Sequence, residues 1–206
     1  MSDVYSYDRT QALKKSKKYL AFYLFTMLAV LLYIVIIGKF GGNNVVYISI
    51  ILLIIPAIMI VTFLYDTNKF ISYYARDEKM YRYNLNSFKF IFIGFIVLLI
   101  AGFLPRHISE LVLIIALVLG IVLLFVACVY FILFHIRLWK FTNKSIFIIH
   151  PIFFIATSLF DDALMKFYPL ISISFIVYII YIITWFKINV PETTQNKLVT
   201  EQKEIL

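Results

Sequence analysis

Among the residues able to carry acid–base, nucleophilic or metal chemistry, His150 is set apart by its surroundings: it lies about six residues into an apolar run. On a helix His150, Phe154, Thr157 and Asp161 fall at i, i+4, i+7 and i+11, within roughly 60° of one face. Such a narrow polar stripe can line a pathway or a small polar pocket. The alternative is structural: His150 bonds across a helix interface, and Thr157 bonds its own backbone, as threonines do in apolar surroundings. Cys128 and His135 have the residue types of a nucleophile and its base, but seven residues of helix separate them by about 10.5 Å along the axis, too far for direct contact. His107, Glu110, Asp161 and Asp162 cluster in segments between apolar runs without the close ligand spacing of a metal site. There is no Gly-rich phosphate loop and no Gly-x-Ser-x-Gly. The sequence therefore leads to no catalytic, cofactor or metal-binding residue, and a non-enzymatic protein is expected.

The elements that would position these residues follow from composition. Of 206 residues 63% are apolar and 15% are charged, with mean hydropathy +0.96; soluble proteins average about 25% charged. The 21 phenylalanines and 15 tyrosines, with abundant Ile, Lys and Asn, fit A+T-rich coding DNA and lean towards a low-GC bacterium. A net charge of +8 in a soluble chain would suggest nucleic acid. In a membrane protein such charge is topogenic and attracts an anionic cytoplasmic leaflet, so the bilayer is the expected partner and nucleic acid is not. The single cysteine, Cys128, forms neither an intramolecular disulfide nor a zinc site.

Six apolar runs are candidates to span a bilayer: Tyr19–Ile37, Val45–Tyr65, Phe90–Leu104, Leu111–Phe134, Ser145–Phe160 and Leu170–Phe186. A hydrocarbon core of about 30 Å needs roughly 20 helical residues; the third and fifth runs are short, and flanking lysines such as Lys89 and Lys144 can snorkel to extend them. Sixteen of the nineteen basic residues fall in alternate gaps. Arg9 to Lys18, Lys69 to Lys89, Arg137 to Lys144 and Lys187 to Lys203 lie on one side. Lys39, Arg106 and Lys166 stand singly on the other. The positive-inside rule places the rich side in the cytoplasm. The expected fold is all-α: a polytopic six-transmembrane-helix bundle in the cell membrane, both termini cytoplasmic, with a basic N-terminal segment 1–18, a membrane domain 19–186 and a polar tail 187–206. The first run, at 19 residues and with no small-x-small site after it, is expected to be a retained helix rather than a signal peptide.

A shift of 95 residues lays Pro56, Thr62 and Asp66 on Pro151, Thr157 and Asp161. Three spans are an odd number, so a 3+3 repeat would be inverted in topology, as in several secondary transporters. Pro56 and Pro151 are candidate hinges, since proline removes a helix hydrogen bond. The glycines form no Gly-x-x-x-Gly pair, which leaves a dimer face unsupported.

No Asp, Glu, Lys or Arg lies within any run, which disfavours proton- or sodium-coupled transport and intramembrane proteolysis. The central loop Asp66–Lys89 carries Phe70, Tyr73, Tyr74 and Tyr81 among Arg76, Lys79 and Arg82. Their near-helical spacing predicts an amphipathic helix in the headgroup region, a surface for lipid or for a soluble partner such as an ATPase. Two functions are compatible. One is a membrane accessory or immunity-type interaction protein acting on a membrane-active peptide. The other is the permease subunit of an ATPase-driven exporter, with Asp66–Lys89 as the coupling element. A lipid-modifying enzyme would need a convergent acid–base or metal constellation that the sequence does not offer.

Overall fold

The computed structural model describes residues 7–40, 43–103, 110–159 and 168–189, and among these there is helix and no strand. The helices are α1 (Arg9–Phe40), α2 (Asn43–Ala75), α3 (Glu78–Phe103), α4 (Glu110–Thr142), α5 (Ile146–Leu159) and α6 (Tyr168–Phe186). Four of them, α1 to α4, are long and apolar enough to cross a membrane. The chain divides into two compact units, Met1–Arg137 and Leu138–Leu206.

In the first unit the helices do not stop where the apolar runs stop. α1 begins at Arg9 because Asp8 caps it, its carboxylate accepting the Gln11 amide at 2.7 Å, which suits the positive end of the helix dipole. α2 runs through Asp66 to Ala75, and only two residues separate it from α3. The segment expected as a loop with an interfacial helix is thus a tight helical hairpin. Its turn is a Schellman motif: Asp77 N–H bonds the Ser72 carbonyl at 3.2 Å and Arg76 N–H bonds that of Tyr73 at 3.1 Å, with Arg76 left-handed at φ 52°. Asp77 then caps α3, its Oδ1 accepting the Met80 amide at 3.0 Å, while its other oxygen takes Arg137 Nη1 of α4 at 3.4 Å.

Hydropathy falls at Asp66 because charged and polar residues enter, yet that is where the unit has its densest core. Phe70, Ile71, Tyr73, Tyr74 and Met80 are buried, with Ala12, Leu13 and Leu20 of α1. Several of the polar residues there have local partners. Thr67 and Ser72 donate to the carbonyls four residues back. Ser16 of α1 donates across to the Thr67 carbonyl at 3.0 Å, and Arg9 Nε to the Tyr74 carbonyl at 3.0 Å, one of the carbonyls that a helix end leaves without an intrahelical donor.

Further along, α3 and α4 approach through two glycines. A Cβ on Gly94 would lie 3.2 Å from the Leu124 side chain and 3.3 Å from the Gly120 carbonyl, and one on Gly120 would lie 2.6 Å from Leu98 Cδ2. Ser87 Oγ donates across the same pair to the Ala127 carbonyl at 3.1 Å. Beyond these contacts the apolar halves present their side chains outward: Phe25, Val35, Ile55, Phe92 and Phe125 are all exposed.

In the second unit α5 and α6 pair through aromatic rings. Phe147 meets Tyr181 and Trp185 edge-on at 5.4 and 5.6 Å, and Pro151 lies buried in the α5 face.

Candidate functional site

Three features of the first unit have the makings of a site. The first is a groove of about 420 Å³ between α1 and α2, lined by Phe25, Thr26, Ala29, Val30, Tyr33, Leu53, Pro56 and Met59. Pro56 shapes it. Lacking an N–H, it leaves the Leu52 carbonyl one turn back without its helical donor. Thr26 gives its hydroxyl hydrogen to the Phe22 carbonyl at 2.9 Å, which leaves its oxygen as an acceptor on a mostly apolar wall that also carries Tyr33.

The second is an aromatic platform at the basic end of α1 and α2. Tyr19 and Phe70 stack, centroids 5.5 Å apart and planes 1° from parallel. Tyr7 and Tyr73 close on Phe70 at 5.6 and 5.8 Å. Over these rings stand lysines of both helices: Lys15 Nζ is 5.0 Å from the Tyr7 centroid and 5.3 Å from that of Phe70. Lys69 Nζ lies 5.9 Å from Phe70 and 5.9 Å from Tyr73, and Lys18 Nζ 5.4 Å from Phe22.

The third is a buried polar seam between α2 and α3. Asn84 Nδ2 donates to the Tyr65 carbonyl at 3.2 Å. Asn84 Oδ1 and both side-chain polar atoms of Asn68 have no protein partner, although each residue is only 1% exposed.

The residues singled out from sequence are distributed as follows. Phe70, Tyr73 and Tyr74 are buried against α1; aromatic side chains at this spacing serve the hairpin core. Arg76, Lys79 and Arg82 are exposed at the hairpin tip and Tyr81 is half-buried, with Arg82 bonded to Glu78 one turn back. Pro56 lines the groove, whereas Pro151 is buried, so the two prolines have different surroundings. His150 stacks on Tyr181 at 4.1 Å and lies 5.4 Å from Tyr178. Thr157 is on α5 but its side chain, like the whole of Asp161, lies outside the described residues, and with them the far end of the expected stripe.

Sequence reasoning missed the groove, the platform and the Asn pair. The signal for the last was present: Asn68 and Asn84 flank a turn of Asp and Arg, at positions that face each other if the segment is a hairpin. Comparison with protein-family models, with curated proteins and with solved structures finds no match. What the fold defines is therefore a class: an all-helical protein with several helices fit to lie in a membrane.

Proposed function

We propose that the chain is a membrane-embedded interaction protein, of the accessory or immunity type, that receives an apolar helical peptide in the α1–α2 groove. The groove at Pro56 carries this reading. It is mostly apolar, it lies in the membrane-compatible half of α1 and α2, and the Thr26 hydroxyl oxygen on its wall can accept a hydrogen bond that an acyl chain cannot give. A peptide helix with a Ser, Thr or Asn on its apolar face supplies the donor that hydrocarbon lacks.

The test uses a photoreactive residue at Ala29 or Met59 in vesicles containing a membrane-inserting helical peptide, with Val35 as a site outside the groove. Adducts at Ala29 and Met59 but not Val35, lost when the peptide's hydroxyl residues become alanine, are the expected result. Equal labelling at all three positions overturns the groove. In cells, the chain should protect against such a peptide, and Ala29→Trp, which fills the groove, should remove the protection while the protein still inserts.

A second reading, the permease subunit of an ATPase-driven exporter, draws on the exposed cations Arg76, Lys79 and Arg82 at the hairpin tip. Crosslinking from Lys79 to an ATPase would favour it over the first.

A further inference from the structure

Lys15 and Lys69 come from different helices and converge on one ring, Phe70. Two ammonium groups drawn to one apolar platform repel each other unless an anion lies between or beside them. Among the described residues no carboxylate supplies it: neither lysine, nor Lys18, makes an ion pair. Asp66, three residues before Lys69, makes no ion pair with it, and Asp8 is engaged as the α1 cap. The platform also stands at a definite level. On α1 the run of lysines ends at Lys18 and the apolar run starts at Tyr19; on α2 the apolar run ends at Tyr65 and Lys69 follows. That level is where the phosphates of a bilayer surrounding the apolar halves would lie.

We propose that Lys15 and Lys69, with Lys18 beside them, form a binding site for the phosphate of an anionic phospholipid, whose acyl chains run down the exposed apolar faces below. The ligand chemistry is a phosphate anion, and a lipid rather than free phosphate is the source because the rings beneath the lysines, Tyr19, Phe22 and Phe70, continue into apolar surface. This inference does not need the groove to bind a peptide.

Native mass spectrometry of the detergent-solubilised protein with added phosphatidylglycerol, phosphatidylcholine or inorganic phosphate reads it directly. Retained phosphatidylglycerol should exceed phosphatidylcholine, and Lys15→Gln/Lys69→Gln should reduce it several-fold. Lys79→Gln/Arg82→Gln, which removes two exposed cations from the hairpin tip, should leave it unchanged, and Lys15→Arg/Lys69→Arg should retain it. Equal loss in both glutamine pairs would reduce the site to general charge and overturn it. Retention of inorganic phosphate in place of lipid would overturn the lipid assignment.

A second inference stands on the seam alone. Tyr65 meets Phe88 at 5.3 Å and Tyr73 meets Tyr81 at 5.5 Å, a register that sets Asn68 level with residues 85–86, next to Asn84, across α2 and α3. The Tyr65 carbonyl fixes which end of the Asn84 amide is nitrogen. The hydroxyls of Thr67, Ser72 and Ser87 give their hydrogens to the Phe63, Asn68 and Ala127 carbonyls, and the Tyr65 and Tyr81 hydroxyls bond each other. Two buried acceptors and a buried donor therefore need a group that both gives and takes hydrogen bonds. A cation would face the Asn68 NH2 and an anion the two carbonyl oxygens; water suits all three.

We infer that buried water bridges Asn68 and Asn84, donating to both Oδ1 atoms, with Asn68 Nδ2 donating to water as well. With asparagine labelled in ¹⁵N, the Asn68 side-chain NH2 should show a cross-peak at the water frequency that disappears in Asn68→Leu. That variant should also melt several degrees lower, and Asn68→Leu/Asn84→Leu should recover most of the loss, because both polar partners then leave together. A higher melting point for Asn68→Leu alone, or an Asn68 NH2 in contact only with protein, overturns the bridge.

Discussion

Arg76 shows how much one backbone angle decides. It occupies the left-handed position that ends α2, with φ 52°, where a side chain costs about 1–2 kcal/mol relative to glycine. Its side chain is exposed, so Arg76→Gly loses no packing and should raise unfolding free energy by about 1 kcal/mol. Arg76→Ala, which keeps a Cβ, should not. Equilibrium unfolding in detergent compares the two. This also explains why the hairpin was hard to see in the sequence. A helix stop is normally announced by Gly or Asn, as Asn143 announces the end of α4 with φ 54°, whereas arginine at that position gives no such sign. Asp77 and Glu78, by contrast, are ordinary signals of a helix start, and they do cap and lead α3.

At the level of elements, the close approach of α3 and α4 depends on Gly94 and Gly120 facing each other. Leucine at Gly120 cannot be absorbed by turning the tip of Leu98, because its branches would also meet the α3 backbone. Gly120→Leu should therefore destabilise by about 1–3 kcal/mol. Gly120→Ala should cost less, since the atoms it meets at 2.6 and 2.7 Å belong to the flexible Leu98 side chain. Gly102 supplies the control: nothing lies within 4 Å of its added Cβ, so Gly102→Leu should leave the melting temperature unchanged. Gly94 and Gly120 could be named from the sequence as sites of close helix approach, but not as a pair, because they sit on different helices and the Gly-x-x-x-Gly pattern describes only one helix. The same limit hid the hairpin core. Hydropathy separates apolar from polar stretches well, and it located the apolar halves of α1 to α4. It reads Thr67–Tyr74 as a loop because it cannot register that neighbouring helices bury a polar helix from several sides.

Over the whole molecule, charge and apolar surface divide between opposite ends of the same helices. In α1 the cations occupy Arg9 to Lys18 and the remainder is apolar; in α2 the apolar part comes first and Lys69 and Asp66 follow; α4 ends with Arg137 and Lys140. A cation at the centre of a bilayer costs about 2.5–3.5 kcal/mol on insertion scales, so the helices should adopt one common arrangement with their charged ends together. That several helices are long and apolar enough to cross a membrane was legible for this reason, from composition alone, whereas the expected direction of each helix rests on the bias of lysine and arginine between gaps. The single cysteine makes that direction measurable without first removing it. Cys128 lies exposed on the apolar stretch of α4 and should resist a membrane-impermeant maleimide from either side of sealed vesicles, reacting only after detergent is added. With that internal reference, Lys14→Cys, Arg82→Cys and Lys140→Cys should all be labelled from the cytoplasmic side, and Lys39→Cys from the opposite side only. Labelling of Lys14→Cys and Arg82→Cys from opposite faces would mean that α1 and α2 do not cross as an antiparallel pair. Labelling of Cys128 in intact vesicles would mean that α4 lies in water, and the membrane arrangement of that helix would fall with it.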